Sequence, residues 1–215
     1  MSRVYMYVVA RDFGFAPNPF HGFCTLATCK PGIRSTAQVG DWIIGMGGKD
    51  LNAVGRCIFA MRVSTTCSFD EYWADPLCLD KRPVRNGSKK MMVGDNIYHH
   101  DPHSRQWLQA DSHHSLSDGS ENPHNLKRDT SKDRVLLSRH FIYFGKAAPN
   151  VPEDILEELG FTNRQGHRRF ENQEGIRLIN WLEDSFGNSL NHVLGDPIDF
   201  ERSNSRYSVE SNRVS

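Results

Sequence analysis

The 215-residue chain lacks net charge: 26 Lys and Arg stand against 26 Asp and Glu. A dedicated duplex-DNA binder carries a basic face and a matching charge excess, so any contact with nucleic acid must come from a local patch. No apolar run approaches the roughly 18 residues of a membrane span, and no membrane partner is expected. The opening MSRVYMYVVARDFGF has neither the length nor the small-residue cleavage site of a secretory leader, so a cytoplasmic location is expected. A Gly-x-x-x-x-Gly-Lys loop, a Gly-x-Ser-x-Gly elbow and a dinucleotide fingerprint are all missing. Their absence disfavours NTPase, serine-elbow hydrolase and Rossmann readings.

Cysteine is scarce. Cys24, Cys29, Cys57, Cys67 and Cys78 include no Cys-x-x-Cys pair, so a zinc cluster built on cysteine alone is not expected, and the five read as reduced, mostly buried small hydrophobes. A nucleophilic role for Cys24 or Cys29 requires a nearby base and an electropositive setting. Nothing in the sequence shows such a setting.

What is present reads as strands joined by short helices. VYMYVV (4–9) is β-branched and aromatic. CTLATCK (24–30) predicts a short strand, and Pro31 suits the first turn of a short helix. Trp42–Met46 is expected to pair with the long strand predicted over 55–65, and 134–145 predicts a further strong strand. FDEYWAD (69–75) predicts a helical turn or two capped by Ser68. Beyond Pro149 the pattern is helical: EDILEEL (153–159), then 171–186 with Ile176, Ile179, Leu182 and Phe186 on one stripe. The expected fold class is α+β, a small, mainly antiparallel, partly closed barrel with short helices. Its domain covers 1–150, a packed helical extension covers 151–202, and a Ser-, Asn- and Arg-rich disordered tail covers 203–215.

The runs RDFGFAPNPFHGFCTLATCKPGIR, VGDWIIGMGG, GRCIFAMRVSTTCSFDEYW, GDNIYHH, DSHHS and RVLLSRHFIYFG occur in this order over residues 4–150. In this they resemble the second type of nucleotide modification associated domain. The resemblance implies a bacterial or phage protein working near nucleotide or nucleic-acid modification or phage-defence systems; it implies no particular reaction and no catalytic residues. The layout of strand, short helix and Val-Gly-Asp-Trp strand is similar to the PUA-like barrels of the ASCH and EVE type. Those families bind modified bases in an aromatic pocket, an analogy of fold alone.

Four stretches are candidate sites. HHDPHSRQWLQADSHH (99–114) holds five of the ten histidines. Imidazole titrates near neutral pH, which nominates His99 and His113, with Asp111, for proton transfer. Pro102 and the lack of any HExxH spacing leave no metal site expected here. The Asp12–Phe20 loop offers Asp12, Phe13, Phe15 and Asn18 to stack and pair with a base, or else its phenylalanines are core. Trp42 is either a pocket wall or barrel filling. With Asn96, Tyr98, His100 and His114 these residues form the expected ligand site. The run KRPVRNGSKK supplies Arg82, Arg85, Lys89 and Lys90 as candidate phosphate contacts, or is simply a solvated face. The leading expectation is a module that binds a nucleotide or a nucleic acid containing a modified base. The rival is a His/Asp-based transferase, glycosidase or hydrolase on the same ligands, with or without a metal. No cofactor and no oligomeric state can be assigned from the sequence.

Overall fold

The computed structural model describes residues 2–164 and 166–215. The first half of the chain forms β1 (Arg3–Val9), β2 (Cys24–Leu26), α1 (Pro31–Thr36), β3 (Trp42–Gly47), β4 (Cys57–Arg62), β5 (Thr65–Cys67), α2 (Phe69–Ala74), α3 (Lys89–Met92), β6 (Tyr98–His100) and β7 (Trp107–Gln109). The second half forms α4 (Pro123–Thr130), β8 (Val135–Ser138), β9 (Phe141–Tyr143), α5 (Glu153–Glu158), β10 (His167–Glu171), α6 (Asn172–Phe186), β11 (His192–Val193), β12 (Tyr207–Ser208) and β13 (Arg213–Val214).

Six strands make the main sheet, in the order β10-β1-β3-β4-β9-β11. β1 and β3 run parallel, with Val4 opposite Trp42, while β3 and β4 pair antiparallel, as the expected partnership of 42–46 with 55–65 requires. A second sheet has the order β2-β8-β5. The class is α+β, but no sheet among the described residues closes into a barrel.

The reason lies at two corners. The long strand expected over 55–65 divides into β4 in the main sheet and β5 in the second. The strand expected over 134–145 divides in the same way into β8 and β9. The chain crosses between sheets at Val63–Ser64 and at Arg139–His140. The crossings hold each other, because Ser138 Oγ reaches the carbonyls of Arg62 and His140 at 2.6 and 2.8 Å, and Ser64 N donates to Leu137 O at 2.8 Å. Each long strand is thus shared between the two sheets, and neither sheet closes on itself.

Two apolar clusters result. One lies on the main sheet and takes in Val4, Ile43, Ile44, Phe59 and Ile142. α6 packs there through Leu178, Ile179 and Leu182, with Gly175 so close to Val4 that a Cβ would sit 2.5 Å from its Cγ2. Ile176, expected on the buried stripe, is exposed, and Leu178 takes its place. The other cluster gathers Phe13, Phe15, Phe20 and Phe23 of the aromatic loop with Phe69, Tyr72, Tyr98 and Phe200.

The C-terminal third adds both edge strands of the main sheet: β10 pairs with β1, and β11 pairs with β9. The segment from Ser203, expected to be disordered, forms the β12–β13 hairpin. Its polar side chains and carbonyls find partners that the sequence around them does not reveal: Arg206 pairs with Asp111, and Asn125 holds Tyr207 O and Val209 N.

Candidate active site

Cys29 follows β2 and opens the turn into α1. Cys29 and Lys30 both have left-handed backbone, with φ of 57° and 40°, a conformation that costs energy for residues with a Cβ. The turn is held by Arg34 of α1. This fully buried guanidinium donates to Cys29 O at 2.9 Å and Lys132 O at 2.8 Å, and also to the carbonyls of Arg134 and Asp129. One planar group thereby locks the cysteine's backbone to the end of α4.

α4 begins with Pro123 at its first position and Asn122 capping the amides of His124 and Asn125. This start is favourable on both counts. The helix delivers Arg128 and Asp129 to the same place. Asp129, fully buried, accepts four hydrogen bonds. Cys29 N at 3.0 Å and Arg128 Nε at 2.8 Å reach one oxygen, and His114 Nδ1 at 2.8 Å and Tyr98 Oη at 3.0 Å reach the other. With Nδ1 fixed on the carboxylate, His114 turns Nε2 toward Cys29 Sγ at 3.8 Å. Arg128 Nη2 lies 3.5 Å from the same sulfur. Cysteine, histidine and aspartate thus stand in line, the geometry of a nucleophile, its base and the group that orients the base.

The electrostatics agree with the geometry. Burial alone would push the Cys29 thiol up, but the charges of Arg128 and His114 outweigh it and bring the thiol below its ordinary value. Burial would lower His114, yet Asp129 and Cys29 raise it. For Asp129 burial opposes ionisation, and His114 and Arg128 overcome it to hold the carboxyl well below the usual range. These directions favour a thiolate–imidazolium pair over a buried carboxylate.

Cys29, His114 and Asp129 also bring one ligand atom each within 4.8 Å of one another, close enough to share a metal ion. The donor set fits a cation poorly. Both Asp129 oxygens are occupied by protein donors, and a metal at Sγ would face the Arg128 guanidinium.

The array opens into a cavity of about 590 Å³, within the range of roughly 300–1,000 Å³ usual for small-molecule sites. It lies at the carboxyl ends of the parallel pair β1 and β3, where Tyr7–Ala10 and Gly48 form one wall. Phe13, Phe15, His113 and the tail residues Tyr207 and Asn212 form the others.

Of the residues nominated from the sequence, Phe13, Phe15, His113 and His114 line this cavity. Phe13 and Phe15 are both core and cavity wall, almost fully buried with their rings 4.5 and 5.2 Å from that of His113. His113 points its Nδ1 at Ser205 O, 2.7 Å away, and burial drives its pKa down to about 3. Tyr98 stands behind the cavity on Asp129. Asp12 is buried under Tyr143 Oη and Ile198 N, and burial lifts its pKa to about 6.

The rest lie elsewhere. Asn18 bonds Val93 O and Lys81 Nζ, and Asn96 bonds the carbonyls of Tyr72 and Cys78. Trp42 packs edge-on against His140. His99 stacks on Trp73 at 3.9 Å, while His100 contacts Trp107 and bonds Asp70. Asp111 pairs with Arg206. In the basic run, Arg82 covers Trp73 and Lys90 faces Phe20. Arg85 binds carbonyls of Met92 and Ser203, and Lys89 pairs with Glu201.

Sequence reasoning did not reach Cys29 as part of a site, nor Arg128, Asp129 and Arg34. Cys29 is 85 residues from His114 and 100 from Asp129. The one local signal was Arg128-Asp129 closing a Pro-initiated, Asn-capped helix in a stretch that otherwise reads as polar loop.

Fold and cavity define an α+β protein organised around an in-line cysteine, histidine and aspartate. The chain belongs to the nucleotide modification associated domain 2 family, whose model matches residues 1–204. No curated protein and no solved structure matches it. The family description associates the protein with nucleotide modification.

Proposed function

We propose that this protein is an enzyme acting on a nucleotide, free or within a nucleic acid, with Cys29 as nucleophile. The observation that carries the reading is the line from Asp129 through His114 to Cys29 Sγ, with Arg128 beside the sulfur. The Cys29 thiolate attacks an electrophilic carbon of the substrate, most simply a carbonyl. His114 Nε2–H protonates the leaving group, and a covalent thioester remains. His114, now neutral, takes a proton from water or an acceptor amine, which displaces the sulfur and regenerates the thiolate. Asp129 stays ionised throughout; it fixes the tautomer and stabilises the imidazolium. The reaction class is acyl transfer or hydrolysis on a base- or nucleotide-linked group.

The alternative of a module that only binds a modified base draws on the same cavity, whose aromatic wall includes Phe13, Phe15 and Tyr207. It gives no use to the Cys29–His114–Arg128 arrangement. A panel of nucleotides and oligonucleotides bearing acyl, amide or ester groups separates the two readings. The enzyme reading expects a covalent adduct on Cys29 by intact-protein mass spectrometry and turnover abolished in Cys29→Ser. It expects turnover reduced on the order of 10²–10⁴-fold in His114→Ala. Binding of such ligands without adduct or turnover, unchanged in Cys29→Ser, would return the protein to the binding-module reading.

A further inference from the structure

The same cavity has a second chemical character. Its lining includes five cationic residues, Arg11, Lys30, Lys49, Arg128 and Arg164, against one acidic residue, Asp50. The whole chain is neutral, so this is a local concentration of charge. Arg128 is committed to Asp129 and the Cys29 sulfur. The other four have no ion-pair partner among the described residues.

Two of the four are held in place by neutral groups. Arg11 donates to Asn212 O at 2.9 Å and Asn212 Oδ1 at 3.2 Å and lies 5.0 Å above the Tyr207 ring. Its direction is fixed while its charge goes uncompensated. Lys30, next in sequence to the nucleophile, sets its Nζ 4.2 Å above the Tyr7 ring. Aromatic faces and amide oxygens orient cations without neutralising them. A concave wall lined with one sign of charge focuses the field on whatever enters.

We propose that this cationic wall is a phosphate subsite. Lys30, Arg11, Lys49 and Arg164 hold phosphoryl oxygens of the substrate while its reacting carbon lies at Cys29 Sγ. The proposal rests on the enzymatic reading of the cavity and narrows it: the electrophilic carbon and a phosphoryl group of the substrate fit within one cavity. Arg11 and Arg164 suit bidentate contact with phosphoryl oxygens, and the two lysines act as point charges.

Two alkylating reagents of nearly equal size test this in the full chain. Iodoacetamide is neutral and iodoacetate carries a carboxylate; in both, the Cys29 thiolate displaces iodide and forms a thioether. The rate ratio of iodoacetate to iodoacetamide at Cys29 is compared with that of a free thiol. The subsite raises this ratio on the order of tenfold or more. Inorganic pyrophosphate suppresses the iodoacetate reaction, and the ratio falls toward the free-thiol value in Lys30→Gln and Arg164→Gln.

Rapid reaction with both reagents, no anion preference and no competition by pyrophosphate would overturn the subsite and leave the nucleophile standing. Calorimetric binding of pyrophosphate that weakens in Arg164→Gln, with Cys29 inert to both reagents, would do the reverse. With pyrophosphate replaced by a 5′-mononucleotide or a 5′-phosphorylated oligonucleotide, the stronger competitor identifies whether the phosphate comes from a free nucleotide or a strand end.

Discussion

At the scale of residues, the five cysteines are told apart by their surroundings. Burial pushes the thiols of Cys24, Cys67 and Cys78 up to about 12, and that of Cys57 up as well. Cys29 alone moves down, because a guanidinium and an imidazolium face it. Charge is thus what separates a reactive thiol from an inert one. Arg128→Gln removes the cation nearest the sulfur while leaving most of the side-chain volume. It is expected to slow alkylation of Cys29 at neutral pH on the order of tenfold, measured by quenched-flow labelling and peptide mapping.

The pH dependence of folding has a sign at this site too. Asp129 titrates lower in the folded chain than in the unfolded one. It therefore contributes stability above its ordinary range that is lost as the pH falls through the folded value. His114 titrates higher when folded, so its contribution is present below its ordinary value and lost as the pH rises through the folded one. Asp129→Asn removes the first contribution and weakens the second, whose other source is Cys29, and chemical denaturation at acid, neutral and alkaline pH should show a flatter profile than that of the native protein.

At the scale of elements, the site depends on how short segments are tied together. The α1 turn and the end of α4 share the Arg34 guanidinium, which serves four backbone carbonyls. Arg34→Lys keeps the charge but cannot span all four. Each buried carbonyl left unpaired costs about 1–3 kcal/mol, so a clear fall in Tm is expected. Cys29 should lose reactivity together with it, since the cysteine's carbonyl is one of the four. The C-terminal segment is tied down by Arg206, Asn125 and Ser205 O and walls the cavity with Tyr207 and Asn212. Truncation after residue 204 is expected to leave the main sheet folded and Cys29 alkylation intact. Calorimetry should then show weaker pyrophosphate binding, because Arg11 loses its Asn212 support.

Most of these elements were legible from the sequence. Alternation and β-branched content marked VYMYVV and the strands near 42–46, 55–65 and 134–145, and Ser68 marked the cap of α2, where its hydroxyl accepts from Glu71 N. The corners were not legible, because a strand that changes sheets keeps its apolar pattern through the bend. The aromatic loop was read as either core or pocket, and Phe13 and Phe15 turn out to face both. The Cys29 array was invisible for a different reason. Its activation comes from residues of the 99–133 stretch, which carries no helical or strand period strong enough to place His114 and Asp129 side by side.

At the scale of the whole molecule, neutrality and local charge coexist. With 26 charges of each sign, the protein as a whole exerts little long-range attraction on a polyanion, and the cationic residues at the cavity act locally. Binding of pyrophosphate should therefore weaken severalfold between about 0.05 and 0.5 M salt, as the screening length drops from above 10 Å to a few ångströms. Binding carried by apolar contact alone would keep its strength across that range. Ala16, in the cavity wall, packs against both apolar clusters. Every group of the Cys29 array is mounted on packed structure, and this preorganisation is what a nucleophile and its base require.

The most direct measurement is the pH profile of Cys29 alkylation by iodoacetamide in the 215-residue chain, followed residue by residue by mass spectrometry. The account predicts that Cys29 reacts ahead of the other four cysteines, with a midpoint below the ordinary thiol range that moves upward in His114→Ala. A Cys29 that reacts no faster than Cys24 or Cys57, or whose midpoint is that of a free thiol in both proteins, would contradict it.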